Sequence, residues 1–296
     1  VRTLETSLPS IEGGHASLEL DCAFPVLGYR RRFSLFGRSH GTVDLSVDSE
    51  RGRTVYVAEN GPLCIRSAPE YAPVLFSCTC AGVEWLGTLF PEAGPRDWWN
   101  PWFGGLGSRP RRTSGHVLLK EKREARLIAA VDGFGNEWRG IETRLLFSEH
   151  EELKGLGFLQ RFLLLPGVPV VLHQVSVEQH TGKYLRDFGI VQEAFVAGPD
   201  DSADCTVLFD DASGDEVRIR SGLEDRWTGA GSQLSVIRDD TDVTLTCFQH
   251  PTATSRFFAT NKGSTMFGGS AHRPIEAGAV EDYAALFLVF THHRAE

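Results

Sequence analysis

Gln160-Arg161-Phe162-Leu163-Leu164-Leu165-Pro166-Gly167-Val168-Pro169-Val170-Val171-Leu172-His173-Gln174-Val175-Ser176-Val177 is the stretch that decides the fold. An apolar run ends in Leu165-Pro166-Gly167, a turn signal, and a second run rich in β-branched residues follows at once. Proline pre-sets φ and glycine accepts the left-handed region, so the pair sits where a chain reverses. Runs with so little polar interruption, here 158–165 and 168–177, are expected of central strands covered on both faces. A third run of the same kind, Y-A-A-L-F-L-V-F, occupies 283–290.

Outward from this pair, period-two alternation dominates. Residues 42–47, 54–58, 74–79, 117–121, 216–221 and 243–248 all read as strands. In E-V-R-I-R-S at 216–221 the arginines share one face and Val217 and Ile219 the other, as in a sheet with one wet side. Turn signals punctuate the strands: Glu12-Gly13-Gly14, Asn60-Gly61-Pro62, Asp132-Gly133, Ala197-Gly198-Pro199-Asp200, Ser213-Gly214-Asp215 and Asn261-Lys262-Gly263. Helical periodicity is nearly absent and no fixed-period repeat is visible. The fold class is therefore all-β, a sandwich or barrel rather than a βαβ architecture or a propeller. One domain over 1–296 is expected. The less regular spacing of 1–82 leaves room for an N-terminal β-subdomain packed on a larger sandwich.

The 296 residues carry a net charge of −9, which argues against a nucleic-acid footprint, since such surfaces need a basic stripe. Arg30-Arg31-Arg32 and the Arg109–Arg112 cluster are too short to change this. No apolar run approaches membrane-spanning length, so no membrane partner is expected. Val1-Arg2-Thr3 shows no signal-peptide core and no initiator methionine, as in a trimmed product, a mature chain or a piece of a longer one. The six cysteines sit mostly in apolar strand contexts and read as buried reduced thiols, with a cytoplasmic location. Cys78-Thr79-Cys80 is not a metal spacing, Asp200-Asp201-Ser202-Ala203-Asp204 lacks the spacing of a calcium loop, and His292-His293 reads as a tail. Neither metal nor cofactor is expected.

The most unusual composition is Arg96-Asp97-Trp98-Trp99-Asn100-Pro101-Trp102-Phe103-Gly104-Gly105-Leu106-Gly107, with three of the six tryptophans. Flat rings beside polar hydrogen-bonding groups suit a surface that holds a sugar ring; the same rings equally suit a plug at the end of a sandwich. Arg109, Arg111, Arg112 and His116 follow. There is no nucleophile elbow and no phosphate loop.

The strand-turn-strand pair, leading into Glu178-Gln179-His180-Thr181-Gly182, resembles the galactose mutarotase-like superfamily, a β-supersandwich shared by aldose epimerases and by domains of glycoside hydrolases and polysaccharide lyases. Ile275-Glu276-Ala277-Gly278 to Phe290 is similar to that family's closing strand, with Ala277-Gly278 where Pro-Gly is usual. Trp138-Arg139-Gly140-Ile141-Glu142 fits an earlier strand start. The resemblance covers roughly 83–290 and implies a large antiparallel β-sandwich and carbohydrate handling. Gln179-His180-Thr181 stands where the family has an asparagine turn. The family's catalytic histidine is missing from Phe188-Gly189-Ile190-Val191-Gln192-Glu193-Ala194-Phe195, where Glu193 would serve only with a raised pKa.

Sugar chemistry needs an acid, a base and partners for hydroxyls. His116, His173 and Glu193 are the candidate proton-transfer groups. Asp97, Glu137 and Glu142 are further carboxylates near aromatics. Trp98, Trp99, Asn100, Trp102, Arg109, Arg111, Trp138 and Gln192 are the candidate binding residues, with an arginine able to clamp a carboxylate or phosphate. His173 lies on the strand face of Val171 and Val175, either reaching the concave face or satisfied in the core. The leading expectation is a carbohydrate-active epimerase, lyase or hydrolase taking a small-molecule or oligosaccharide ligand. The alternatives are a non-catalytic sugar-binding or structural sandwich domain, and a biosynthetic enzyme with an apolar substrate.

Overall fold

A computed structural model describes residues 15–23, 28–37, 41–96, 99–196, 205–210, 215–220, 225–229, 233–249, 255–260, 265–283 and 285–292. The stretch quoted first is an antiparallel hairpin, Leu156–Leu164 against Val170–Gln179, with Phe162 opposite His173. Gly167 takes a φ of 64° in its turn. Asn60 locks that turn from the other sheet: its side-chain amide donates to the carbonyls of Leu165 and Val168 at 2.6 and 2.8 Å.

The hairpin lies in a ten-stranded antiparallel sheet. Its path runs Lys122–Val131, Glu137–Leu146, Leu156–Leu164, Val170–Gln179, Leu286–His292, Val243–Gln249, Gln233–Arg238, Cys205–Asp210 and Glu216–Arg220. A second ten-stranded sheet runs Asp225–Gly229, Ser255–Thr260, Thr265–Ile275, Leu185–Val196, Leu106–Pro110, Leu75–Cys80, Leu63–Ser67, Arg53–Glu59 and Asp44–Glu50. The tenth strand of each is short, Val280–Asp282 beside Val170–Gln179 and Val83–Glu84 beside Leu75–Cys80. Gly94–Arg96 and Trp99–Trp102 form a separate ribbon, as do His15–Ala23 and Gly28–Phe36.

The two sheets bury a common interior. Leu75, Leu106, Ala194 and Phe267 of the second sheet and Phe162, Leu164, Val171, Leu245 and Leu288 of the first belong to one apolar cluster. Burial of this size supplies the main driving force for folding, at about 25 cal/mol per Å² of apolar surface removed from water. Among the described cysteines, 64, 78, 80 and 247 are free thiols, and 78, 80, 205 and 247 are buried. Burial pushes the Cys80 thiol up to about 11, which leaves it protonated and unreactive. No helix among the described residues is long and apolar enough to cross a membrane.

One expected strand is a helix. Residues 117–121 read as a strand, but Gly115–Lys120 forms a helical turn and a half, and the strand starts at Lys122. Three adjacent apolar residues, Val117-Leu118-Leu119, satisfy either template. Packing decides between them: Leu118 and Val117 enter one apolar cluster and Leu119 another. The turn signals at 12–14, 197–200, 213–214 and 261–263 lie outside the described residues, as do the 200–204 acidic run and His293.

Candidate functional site

Strand Leu185–Val196 runs between Leu106–Pro110 and Thr265–Ile275. Ile190 and Ala194 enter the apolar interior, so Gly189, Val191 and Glu193 take the opposite face by alternation. The register sets Gly107 and Gly268 beside Glu193, Arg109 and Ser270 beside Val191, and His272 beside Gly189. Three chain segments thus bring Arg109, Glu193 and His272 to one outer face.

Arg109 grips Glu193 with both prongs of its guanidinium, Nη2 to Oε1 at 2.9 Å and Nε to Oε2 at 3.2 Å. Its remaining Nη1 donates to the carbonyl of Thr113 at 2.8 Å. A planar fork on a carboxylate fixes the position of both partners. The pair is partly exposed, 26% for Arg109 and 19% for Glu193, so a solute reaches it. The sequence reading gives Glu193 the role of the missing histidine only with a raised pKa; the structure pairs its carboxylate with an arginine.

His272 is held from both sides. Its Nδ1 lies 3.0 Å from Asp187 Oδ1 and its Nε2 lies 3.2 Å from Arg111 Nη1. A guanidinium only donates, so Nε2 accepts and Nδ1–H donates to Asp187, which assigns the neutral Nδ1–H tautomer. A register shift between Leu185 and Phe188 marks an irregularity where Arg186 and Asp187 join the wall of a cleft. Such bulges re-aim side chains next to sites. The cleft has a volume of about 270 Å³, with Arg111, Arg112, Arg186, Asp187, Tyr184 and His272 in its lining.

Gly189 makes room for the imidazole. A Cβ there would stand 2.6 Å from Cε1 of His272. Gly189→Ala is expected to push the ring away by about 1 Å, to an ordinary carbon contact of about 3.5–4.0 Å. One of its two hydrogen bonds then breaks, and the single Nδ1–H signature in ¹⁵N spectra of His272 gives way to a tautomer mixture. An unchanged tautomer in a folded variant would overturn the assignment.

The other expected site residues scatter. Trp102 is 2% exposed and packs with Phe195 and Met266, so it is core and not a wall. Trp99 is half-buried, edge-on to Phe195 at 5.5 Å, and Asn100 is exposed beside it. Trp98 lies outside the described residues, as does Asp97. Trp138 belongs to the other sheet, where its indole N–H donates to Asp132. Glu142 is buried there between Arg126 and Arg161, and Glu137 is exposed on the same strand. His116 stands exposed on the helix and is absent from the cleft lining. Gln192 is buried opposite Ser108 and faces away from Glu193.

His173 is also interior, fully buried and stacked on Phe162 at 4.7 Å. Its Nε2 lies 3.4 Å from Ser108 Oγ and 3.3 Å from Gln160 Oε1. Burial drives its imidazole down to about 3, so it stays neutral and does not exchange protons with a solute. The unfolded chain binds that proton near the ordinary histidine pKa of about 6.5. Stability is therefore complete above about 6.5 and falls toward pH 3, with a slope of about 1.4 kcal/mol per pH unit from this residue. Denaturant titrations at several pH values are expected to show that slope, and His173→Gln to flatten it.

His272, Asp187, Arg186 and Tyr184 were not singled out in the sequence. Asp187 and His272 stand 85 residues apart, and only strand pairing joins them. The legible signal was limited to a charged pair, Arg186-Asp187, heading an apolar strand. Among the described residues no group of three or more His, Cys, Asp or Glu is placed to hold a metal ion.

No family model matches the sequence, and no curated protein matches it. Solved structures match in shape. A galactose mutarotase-like protein from Clostridium acetobutylicum aligns with a TM-score of 0.59 at 8% identity, covering 85% of this chain and 99% of that one. A candidate aldose 1-epimerase from Klebsiella pneumoniae aligns at 0.59 and 11%, covering 93% and 88%. A TPR-domain-containing protein from Parabacteroides distasonis aligns at 0.58 and 10%, and the match covers 96% of this chain but 56% of that protein. At such identities the likeness is one of fold. The chain has the galactose mutarotase-like β-supersandwich.

Proposed function

We propose that this chain is a carbohydrate-active enzyme that moves protons at a sugar ring, with the guest on the outer face of Leu185–Val196 between Glu193 and His272. The observation that carries the reading is one continuous line of contacts. Glu193 is gripped by Arg109, Arg109 reaches the Arg111 carbonyl at 3.4 Å, Arg111 holds His272, and His272 holds Asp187. Glu193 and Gly189, the neighbour of His272, are about 13 Å apart along the strand at 3.3 Å per residue, a span that a pyranose and two reaching side chains fill. Val191, itself buried, stands between them on the same face of the strand.

The two groups have complementary roles. His272 Nε2 takes a hydroxyl proton once the sugar hydroxyl displaces the exposed Arg111 as its hydrogen-bond donor, and Asp187 stabilises the imidazolium that forms. Glu193 is the second proton acceptor, and Arg109 keeps its oxygens aimed. Epimerisation by ring opening balances when the proton that His272 takes from the anomeric hydroxyl is passed through a solvent water to the ring oxygen, and reclosure reverses the transfer; elimination is the second choice. Glycoside hydrolysis needs two carboxyl groups facing each other across the bond; here Asp187 is turned to His272. The sharing of this fold with a galactose mutarotase-like protein supports the reading by analogy. The free, buried cysteines fit a reducing, cytoplasmic setting.

Exchange NMR of anomers, run beside calorimetry over a panel of free sugars and sugar acids, tests it. Accelerated exchange or a new product for at least one sugar is the expected result. Binding heat without any conversion indicates a non-catalytic sugar-binding domain instead. Neither heat nor conversion across the panel removes the sugar assignment.

A further inference from the structure

The cleft beside His272 has more cation than its walls balance. Arg111, Arg112 and Arg186 line it, and none of them forms an ion pair among the described residues. Its two carboxylates are Glu152 and Asp187, and Asp187 is engaged by His272. Guanidiniums that outnumber the carboxylates around them are unexpected in a chain of net charge −9, where acidic partners are plentiful. The surroundings are also fixed in advance. The 110–113 turn is closed by the Thr113 hydroxyl on the Pro110 carbonyl at 2.7 Å and pinned to the central strand by Arg111 N on Gly189 O at 2.8 Å. On the far wall, the Glu121 carboxylate accepts from the backbone N–H groups of Ser148, Glu149 and His150 and holds the loop that supplies His150 and Glu152. Tyr184, 54% exposed, offers a ring face at the same cleft.

We propose that the sugar carries an anionic group, a carboxylate or a phosphate monoester, bound by Arg112 and Arg186 while the ring reaches past His272 toward Glu193. The inference rests on the reading of this face as the reaction site and specifies its substrate class. Arginine forks match either group bidentately, and a prebuilt wall lowers the ordering cost of binding. Neutral sugars gain nothing from these side chains beyond ordinary hydrogen bonds.

Calorimetry on the whole chain at low salt, with D-glucose, D-glucuronate, D-glucose 6-phosphate and inorganic phosphate as probes, decides the matter. At least one charged sugar is expected to bind about tenfold or more tightly than glucose, as charge-assisted hydrogen bonds imply. The glucuronate and phosphate arms rank the two anions. Both arginines are exposed, so the double variant Arg112→Gln/Arg186→Gln is expected to fold and to bind charged and neutral sugars alike. Equal affinities in the unaltered chain, or a preference that survives the double variant, would overturn the proposal. Conversion of a neutral sugar without charge preference sinks the anion subsite and leaves the enzyme reading standing. Inorganic phosphate competing with a charged sugar that is never converted does the reverse.

Discussion

Glu193→Gln is expected to lower turnover of the converted sugar by about 10²–10⁴-fold, the usual contribution of a positioned acid/base group. The substitution is isosteric, and the amide still accepts one hydrogen bond from Arg109. It cannot take up a proton. Loss of the second prong costs stability by about 1.5–3 kcal/mol at most, the range for hydrogen bonds to a charged group, and less here because the pair is partly exposed. The loss should fall on kcat, with KM changed little, because the shape offered to the sugar is retained. A folded variant that keeps half its turnover would remove Glu193 from the chemistry and leave His272 as the group to test.

Trp102→Ala is expected to destabilise the fold by about 3–5 kcal/mol, the range for deleting a buried aromatic side chain. The indole packs edge-on to Phe195 with ring centres 5.4 Å apart and lies under the Arg96 guanidinium at 4.4 Å. Met266 closes the same cluster. Trp99→Ala, at a half-buried position, should cost clearly less. Urea unfolding of the two variants separates a plug from a platform. Near-wild-type stability of the Trp102 variant, combined with weakened sugar binding, would mean that the indole touches the guest after all.

These experiments also mark where the sequence was legible. Strands announce themselves through alternation, and the Pro166-Gly167 hairpin appears where its residues demand it. Alternation also placed His173 with Val171 and Val175; all three are buried, which settles its role as core. The tryptophan segment leaves platform and plug open because rigid aromatics serve interiors and ligand sites equally well, and at Trp102 the interior reading holds. Composition alone does not tell which side of a sheet they cover. Arg109, Arg111 and Glu193 were within reach because charged residues on apolar strands are conspicuous. His272 and Asp187 were not, because a register between strands 85 residues apart is a property of the folded sheet.

The place of Leu286–His292, between Val170–Gln179 and Val243–Gln249, bears on how the chain is made. On the ribosome the two halves of that sheet emerge with facing edges unpaired and wait for residues 286–292 to join them. Open edges recruit strands from other molecules, so the yield of refolding is expected to fall with rising protein concentration until that central strand is in place.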